Sequence, residues 1–524
     1  MKKTIELNIL DKLVGYFSPA AAVNRMKARH VMALSGAYNS GSKTRPSLRN
    51  WNPLAGDAND DALYELETIR ARSRDLSRNA PLGCAALNTV VTNTIGTGLT
   101  MQSNPDARLL GMSEDQANEW KREVEFEWNM WCSSLDCDAS RSMDFYGLQS
   151  LAMRSMLESG DVIALTPAIK RAGRPYSLTI QLIEADRLMN RNGHRNTEKQ
   201  IDGITLDSNG APVKYTIANR HPGGYGCSAA NDWVDVDAYG KNGRRNVLHL
   251  FDRKRPGQVR GVPYLAPVIE HLKQLARYSD AELQAAVISA ALAMFVKMDS
   301  DAFMTLFDDK SQGDYLSGAT SWDGSINTNM DSPGKVVNLL PGEDIVTPDL
   351  GRPNDKFDPF FLAMLKQIGP ALEIPFEILI KHFSSSYSAS RAALLDFWRF
   401  VRVRRDFMAT RFCEPIKDLF FEEAVSLGRI KAPGFFSDPA IRYAYTRVSW
   451  VGDSQGSIDP EKEVRAQRER IALSISTRKK EAIAFDGGDW EENIAQLAKE
   501  KSMLDDAGIT QEPQSPINTL PEQS

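Results

Sequence analysis

At 524 residues the chain can bury a sizeable core, and 42% hydrophobic with 25% charged side chains is ordinary for a globular protein. Its 63 basic and 68 acidic residues leave a net charge of −5. That argues against a basic face gripping nucleic acid without regard to sequence, but not against a wall that lets DNA slide past.

Five scattered cysteines include one close pair, Cys132 and Cys137, with no histidine near enough to complete a zinc set. Reduced thiols are the expected state. Glu6, Asp11 and Lys12 interrupt any secretory apolar core, and the apolar run 285–296 is too short to cross a membrane.

In chain order, Met1–Phe17 and Pro19–Arg29 are expected as helices and Tyr38–Pro53 as loop. Gly36, Gly41 and Ser42-Lys43-Thr44 approach a phosphate-binding loop. No glycine precedes the lysine and no strand leads in, which rejects an ATPase. Leu63–Asn79 is a charged helix whose Arg70, Arg72, Arg74 and Arg78 sit among Glu67 and Asp75, as on a solvated, salt-bridged face. Ala85–Ile95 is more apolar. Trp120, Val124, Trp128 and Trp131 share one face of a helix over Glu114–Trp131, which reads as core rather than as a base-stacking platform. A further helix over Phe145–Glu158 precedes strands at Val162–Leu165 and Leu178–Ile183. Ile201–Gly210 and Pro212–Ile217 form a hairpin turning at Asn209-Gly210. Helices followed by strands predict an α+β domain.

Val247–Phe251 is a strand, and Asp252–Pro263 is a polar bend. From Tyr264 to Val296 no breaker follows Pro267, and Leu265, Val268, Leu272, Leu275, Leu283, Val287, Ala290 and Met294 recur at helical spacing. One helix roughly 45 Å long is expected. Residues 299–331 are rich in glycine, serine and aspartate, and 312–329 are expected to be partly disordered. Two short strands are expected around Pro341-Gly342. Phe357–Leu372 is a second amphipathic helix closed by Pro375. Arg391–Leu427 is a long helix kinked at Pro415. Asp459 can cap a helix begun by Pro460, and 507–524 reads as a disordered tail.

Catalysis needs convergent groups. The six histidines are dispersed, and no nucleophile elbow occurs. Ser332-Pro-Gly-Lys335 is a chance-level pattern. Asp232, Asp235 and Asp237 could hold a metal as in a nuclease, although their alternation reads better as an exposed strand or loop of carboxylates. His249 reads as a satisfied residue of a sheet. No enzyme and no cofactor are expected.

The segments LRNW (48–51), IRARSRDLSRN (69–79) and NTIGTG (93–98) resemble the N-terminal signature of the lambda-type bacteriophage portal family. RPGQVRGVPYLAPVIEHL (255–272) with Asp280-Ala281-Glu282-Leu283, and Ile374-Pro375-Phe376-Glu377 with Ser386-Tyr387-Ser388 before Arg391-Ala392, resemble later parts of the same family's pattern. The resemblance implies a mainly helical α+β portal fold. Its parts are an N-terminal arm (1–55), an α+β wing (56–260), a stem helix (261–296) and a small α/β clip (297–356). A second stem helix (357–375), a tunnel loop (376–390) and a kinked helix returning to the wing (391–450) follow, then a helical crown (451–506) and the tail (507–524).

It implies a ring, a dodecamer, at one capsid vertex of the virion, assembled in the host cytoplasm. Double-stranded DNA would pass through it, with the large terminase subunit, capsid or scaffold protein and head-completion proteins as partners. The loop residues Lys381, His382, Ser384, Ser385, Ser386 and Tyr387 become candidates for touching DNA. Glu270, Lys273, Arg277, Arg391, Arg399 and Arg402 become candidates for the subunit interface, with Asp396, Asp406 and Glu414 nearby to pair them. The alternatives from other classes are the magnesium-dependent nuclease and a monomeric scaffold.

Overall fold

The computed structural model describes residues 45–224, 232–291, 295–298, 343–346, 356–383, 386–456 and 460–508, with isolated positions between 16 and 40. It comprises two compact units, Met1–Asp61 and Ala62–Ser524. In the first, a turn at 45–50 is closed by Leu48 and Arg49 N–H groups donating to the Arg45 carbonyl. Of the expected helix Met1–Phe17 only Tyr16 is described, and it is helical; in the expected helix Pro19–Arg29 the described positions 19–21, 23, 24 and 27 are all helical.

The second unit opens with α1 (Leu66–Asn79) and α2 (Pro81–Thr94), split at Ala80 because Pro81 can begin a helix but not continue one. α3 (Glu114–Cys132) starts at a capping box in which Ser113 and Gln116 satisfy each other's backbone N–H. α4 (Phe145–Ser159) is capped by Asp144. The tryptophan face of α3 is core: Trp128 meets Phe145 and Phe420 edge-on at 5.3 and 5.2 Å. The indoles of Trp120 and Trp131 donate to the Lys431 and Leu178 carbonyls at 3.0 Å.

β1 (Thr100–Ser103) pairs antiparallel with residues 448–451, far along the chain. In a three-stranded antiparallel sheet, β2 (Asp161–Leu165) lies between β3 (Gln181–Glu184) and β8 (Val247–Phe251). Val162 and Ala164 face the helical core while Ile163 joins a second, smaller core, so β2 is apolar on both faces. That smaller core underlies a meander of β4 (Gln200–Ile201), β5 (Ile204–Leu206), β6 (Pro212–Ala218) and β7 (Trp233–Asp237). The expected hairpin is there. Gly210 takes φ +79°, and Asp207 accepts from the Asn209 and Ala211 N–H groups at 2.8 Å.

After the bend comes α5 (Ile269–Ala291), entered through a 3₁₀ turn at Ala266–Val268. It is shorter than the periodicity predicts, because β9 (Phe295–Met298) takes the last apolar residues into an antiparallel pair with β10 (Glu343–Val346). The strand expected after Pro341-Gly342 is therefore present, but its described partner is Phe295–Met298. Residues 335–340 lie outside the described part. α6 (Phe357–Ala371) leads through a turn to α7 (Tyr387–Met408), which begins four residues earlier than expected.

The expected long helix is interrupted by a π-helical turn, Ala409–Cys413, before α8 (Glu414–Ser426). Pro415 lacks the N–H that would bond Arg411, and a wider turn relieves the clash of its ring with that carbonyl. α9 (Pro439–Thr446) and β11 (Val448–Val451) close the core. α10 (Pro460–Ala472), α11 (Arg478–Asp486) and α12 (Trp490–Asp506) follow. Asp459 and residues 509–524 are outside the described residues. The architecture is mixed α+β and mainly helical.

Candidate functional site

The candidate site is the α5–α6 hairpin with the turn that carries it into α7. Its launch point is the bend Asp252–Pro263, and the residue that holds the bend is Arg260. This side chain is fully buried. Its guanidinium pairs with Asp161 and Asp202 and donates to the Leu188 and Ala185 carbonyls at 2.8 and 2.7 Å. Asp161, equally buried, also accepts from Arg70 Nη2 at 2.8 Å and lies 3.1 Å from His249 Nε2.

Burial alone would raise the Asp161 carboxyl, but Arg260 and Arg70 hold it far below the usual carboxylate range. Burial also pushes the His249 imidazole down, against the pull of Asp161, which favours its neutral form. The bend can lie this close only because two glycines meet: a Cβ on Gly261 would sit 1.9 Å from the Gly160 carbonyl oxygen. Gln258 completes the bend, its side-chain oxygen accepting from Lys254 N–H at 2.9 Å.

Arg70 and Arg74 are therefore not on a solvated face. They are salt-bridged, but to Asp161 and Asp186 from the sheet rather than to Glu67 and Asp75 on their own helix. Single-sequence reading missed the cluster, since nothing local separates Arg260 from Arg253 or Arg255. His249 does sit satisfied in its sheet.

Along α5 and the turn that enters it, Leu265, Val268, Leu272 and Leu275 are buried, whereas Leu283 and Val287 on the same sequence pattern are 66% and 61% exposed. Among the described residues, the first half of the helix is covered, while Leu283 and Val287 in the second half stand open. Tyr264 Oη donates to the Leu372 carbonyl, and Tyr278 stacks on Phe357 at 5.4 Å and meets Phe360 at 5.0 Å, tying α5 to α6 along their length. Glu270, Lys273 and Arg277 all project to solvent.

At the top of α6, Ile374 N–H bonds the Gly369 carbonyl at 3.0 Å, with Glu373 at φ +54°. Gly369 is required there, because a Cβ would meet the Ile374 carbonyl oxygen at 2.8 Å. Pro375 then opens a one-turn helix, Phe376–Leu379, whose Ile378 and Leu379 are buried. Lys381 ends it in the left-handed region at φ +53°.

The turn is thus pinned by apolar anchors, and Lys381, His382 and Phe383 are presented to solvent. Ser386 is exposed and caps α7 by accepting from Ala389 N–H at 3.4 Å, so its hydroxyl is engaged in starting the helix. Ser384 and Ser385 lie outside the described residues, and Tyr387 opens α7.

Of the α7 arginines, Arg391, Arg399 and Arg402 are exposed. Arg404 and Arg405 serve the chain itself. Arg404 pairs with Asp252 at 3.2 Å and lies over the Phe400 ring. Arg405 donates to the Thr94 and Asn93 carbonyls at 2.9 Å, capping the C-terminus of α2, with its guanidinium 4.8 Å from the Trp398 ring centre.

The three aspartates of the nuclease reading do not converge on a metal. Asp235 pairs with Arg191 at 2.9 Å and accepts from Thr216 at 3.0 Å, and no metal-ligating cluster occurs among the described residues. No described helix is long and apolar enough to cross a membrane.

Comparison with known proteins follows the same outline. The profile of phage portal proteins of the lambda family matches residues 44–405, which takes in the cluster, the hairpin, the turn and most of α7. The portal protein of Escherichia phage N15 is 26% identical over 493 residues, covering 91% of both chains. Portal protein B of Escherichia phage lambda is 24% identical over 497 residues, again covering 91% of both. Among solved structures, a chain of the virion of the native gene transfer agent particle aligns over 87% of this chain and 98% of its own, at TM-score 0.39 and 11% identity. With the family profile matched over most of its length, the chain belongs to the lambda family of phage portal proteins.

Proposed function

We propose that this chain assembles as a closed ring, a dodecamer, at one vertex of a tailed-phage head, and that double-stranded DNA is packaged and ejected through it. The observation that carries the reading is the family match across residues 44–405. The half-open hairpin supports it, since Leu283 and Val287 leave apolar surface that a neighbouring copy would cover. In a cyclic ring each copy offers two different surfaces to its neighbours, and the contact closes on itself.

In this reading residues 56–260 form the wing, α5 and α6 the stem along the channel, 297–356 the clip that receives the large terminase and later the head-completion proteins, and 451–506 the crown. Capsid or scaffold protein would meet the ring's outer side, and assembly would take place in the host cytoplasm. The role is structural, and the magnesium-dependent nuclease finds no support in the aspartates.

The 376–390 turn is proposed to face the channel, with Lys381 and His382 touching phosphates and the Ser384–Tyr387 stretch lining the passage. One weak contact per copy, repeated around the ring, would restrain the duplex without a strong site. Class averages of the negatively stained protein should show rings with a central hole wide enough for duplex DNA, and particles that remain monomeric at high concentration would remove the ring. A Lys381→Ala/His382→Ala variant should package or retain less full-length DNA, and normal packaging by it would end the loop assignment.

A further inference from the structure

The ring leaves open which surfaces meet, and the hairpin itself carries the answer. α5 and α6 run antiparallel, and two tie points set their relative height. Tyr264 meets Leu372 at one end, and Tyr278 meets Phe357 and Phe360 at the other. Both helices advance about 1.5 Å per residue, so counting between the ties puts Glu270 level with Lys366, and Arg277 level with Asp358.

All four side chains are exposed, and among the described residues none of them makes an ion pair within the chain. Glu270 accepts only a hydrogen bond from Gln274 one turn on, at 3.1 Å. Glu270 and Arg277 lie two turns apart on one face of α5. Asp358, Leu362 and Lys366 recur every four residues on one face of α6, and Leu362 is 37% exposed.

Rotation about an axis parallel to the hairpin changes no residue's height. In a ring whose axis runs along the hairpin, residues that are level within one copy are level between neighbours. We propose that α5 of one copy packs on α6 of the next, with Glu270 pairing Lys366 and Arg277 pairing Asp358 across the junction. Lys273 lies between the two pairs, with its aliphatic stem over Leu362. The two pairs have opposite polarity, so sliding α5 along α6 or turning the neighbour end for end brings like charges together. That makes them a register device for a contact that exposed apolar surface alone would leave loose.

This rests on the ring proposed above, and the experiment separates the two. Chains carrying Glu270→Cys only and Lys366→Cys only are co-expressed, purified as rings and mildly oxidised, so that any new disulfide between the introduced thiols must join two copies. Covalent dimers containing one of each chain are expected. Rings that yield none, or that yield Glu270→Cys homodimers, would overturn the register while leaving the ring intact. A wild-type chain that forms no ring would remove both.

Charge reversal gives a second reading on exposed positions that folding does not need. Glu270→Lys should raise the protein concentration needed for rings by about tenfold, and Lys366→Glu added to it should restore assembly. Failure of the double variant to recover would count against the pairing.

Discussion

Arg260 and Asp161 are two opposite charges with no access to water, and each is satisfied by more than the other. Removing one member of such a set leaves the rest buried without a counter-charge, which costs about 3–5 kcal/mol. Asp161→Asn or Arg260→Met should lower the urea midpoint accordingly. A change of Arg253, exposed in the same bend, should alter stability by no more than about 0.5 kcal/mol.

The same cluster sets a pH dependence. The unfolded imidazole of His249 takes up a proton as pH falls through about 6.5, and the folded one, depressed by burial, does not. Below that pH the unfolded state binds more protons, so stability falls. The Asp161 carboxylate, held low, contributes above its unfolded value near 3.8 and loses its contribution only in stronger acid. Melting temperature should therefore decline as pH falls below about 6.5, and His249→Gln should flatten that decline. An unchanged slope in the variant would mean that other groups carry it.

At the scale of elements, α5 is one sequence pattern with two environments. Leu275 belongs to the buried half, and Leu275→Ala should destabilise the monomer by about 2–5 kcal/mol in chemical denaturation. Leu283→Glu with Val287→Glu sits on the open half and should leave monomer stability within about 0.5 kcal/mol while reducing ring formation seen by size-exclusion chromatography. Helical periodicity located this face correctly but could not say where it stops being covered, because coverage depends on what packs against it. The strand at Phe295–Met298 shows the same limit: apolar residues that continue a helical pattern were claimed by a partner strand at Glu343–Val346.

Across the whole molecule, a charged contact centred on Lys121 ties the C-terminal helices to the body, reaching Asp489 and, at 3.4 Å, Glu491. Lys121 of α3 pairs with Asp489, which also caps α12 through Glu491 N–H at 2.9 Å. Both side chains are largely buried, while α10 and α12 bury none of their own residues. Little apolar area holds these helices down, so the pair carries an unusual share of their attachment. Lys121→Ala should speed amide hydrogen exchange in α12 by about tenfold or more while leaving α4 protected. Equal protection in both proteins would show that packing alone suffices.

By itself the sequence determined the mixed, mainly helical class, the tryptophan face of α3, the hairpin at Asn209-Gly210, both hairpin helices and the family. These depend on local spacing, turn chemistry and short motifs, which are written in neighbouring residues. Only the tertiary structure decided that Arg70 and Arg74 face buried acids and that Arg405 caps α2. It alone showed that Arg260 holds the bend and that Asp235 belongs to Arg191. A charged residue is assigned to solvent or to the interior by its partner. In these cases the partner lies tens to hundreds of residues away, and no local pattern names it.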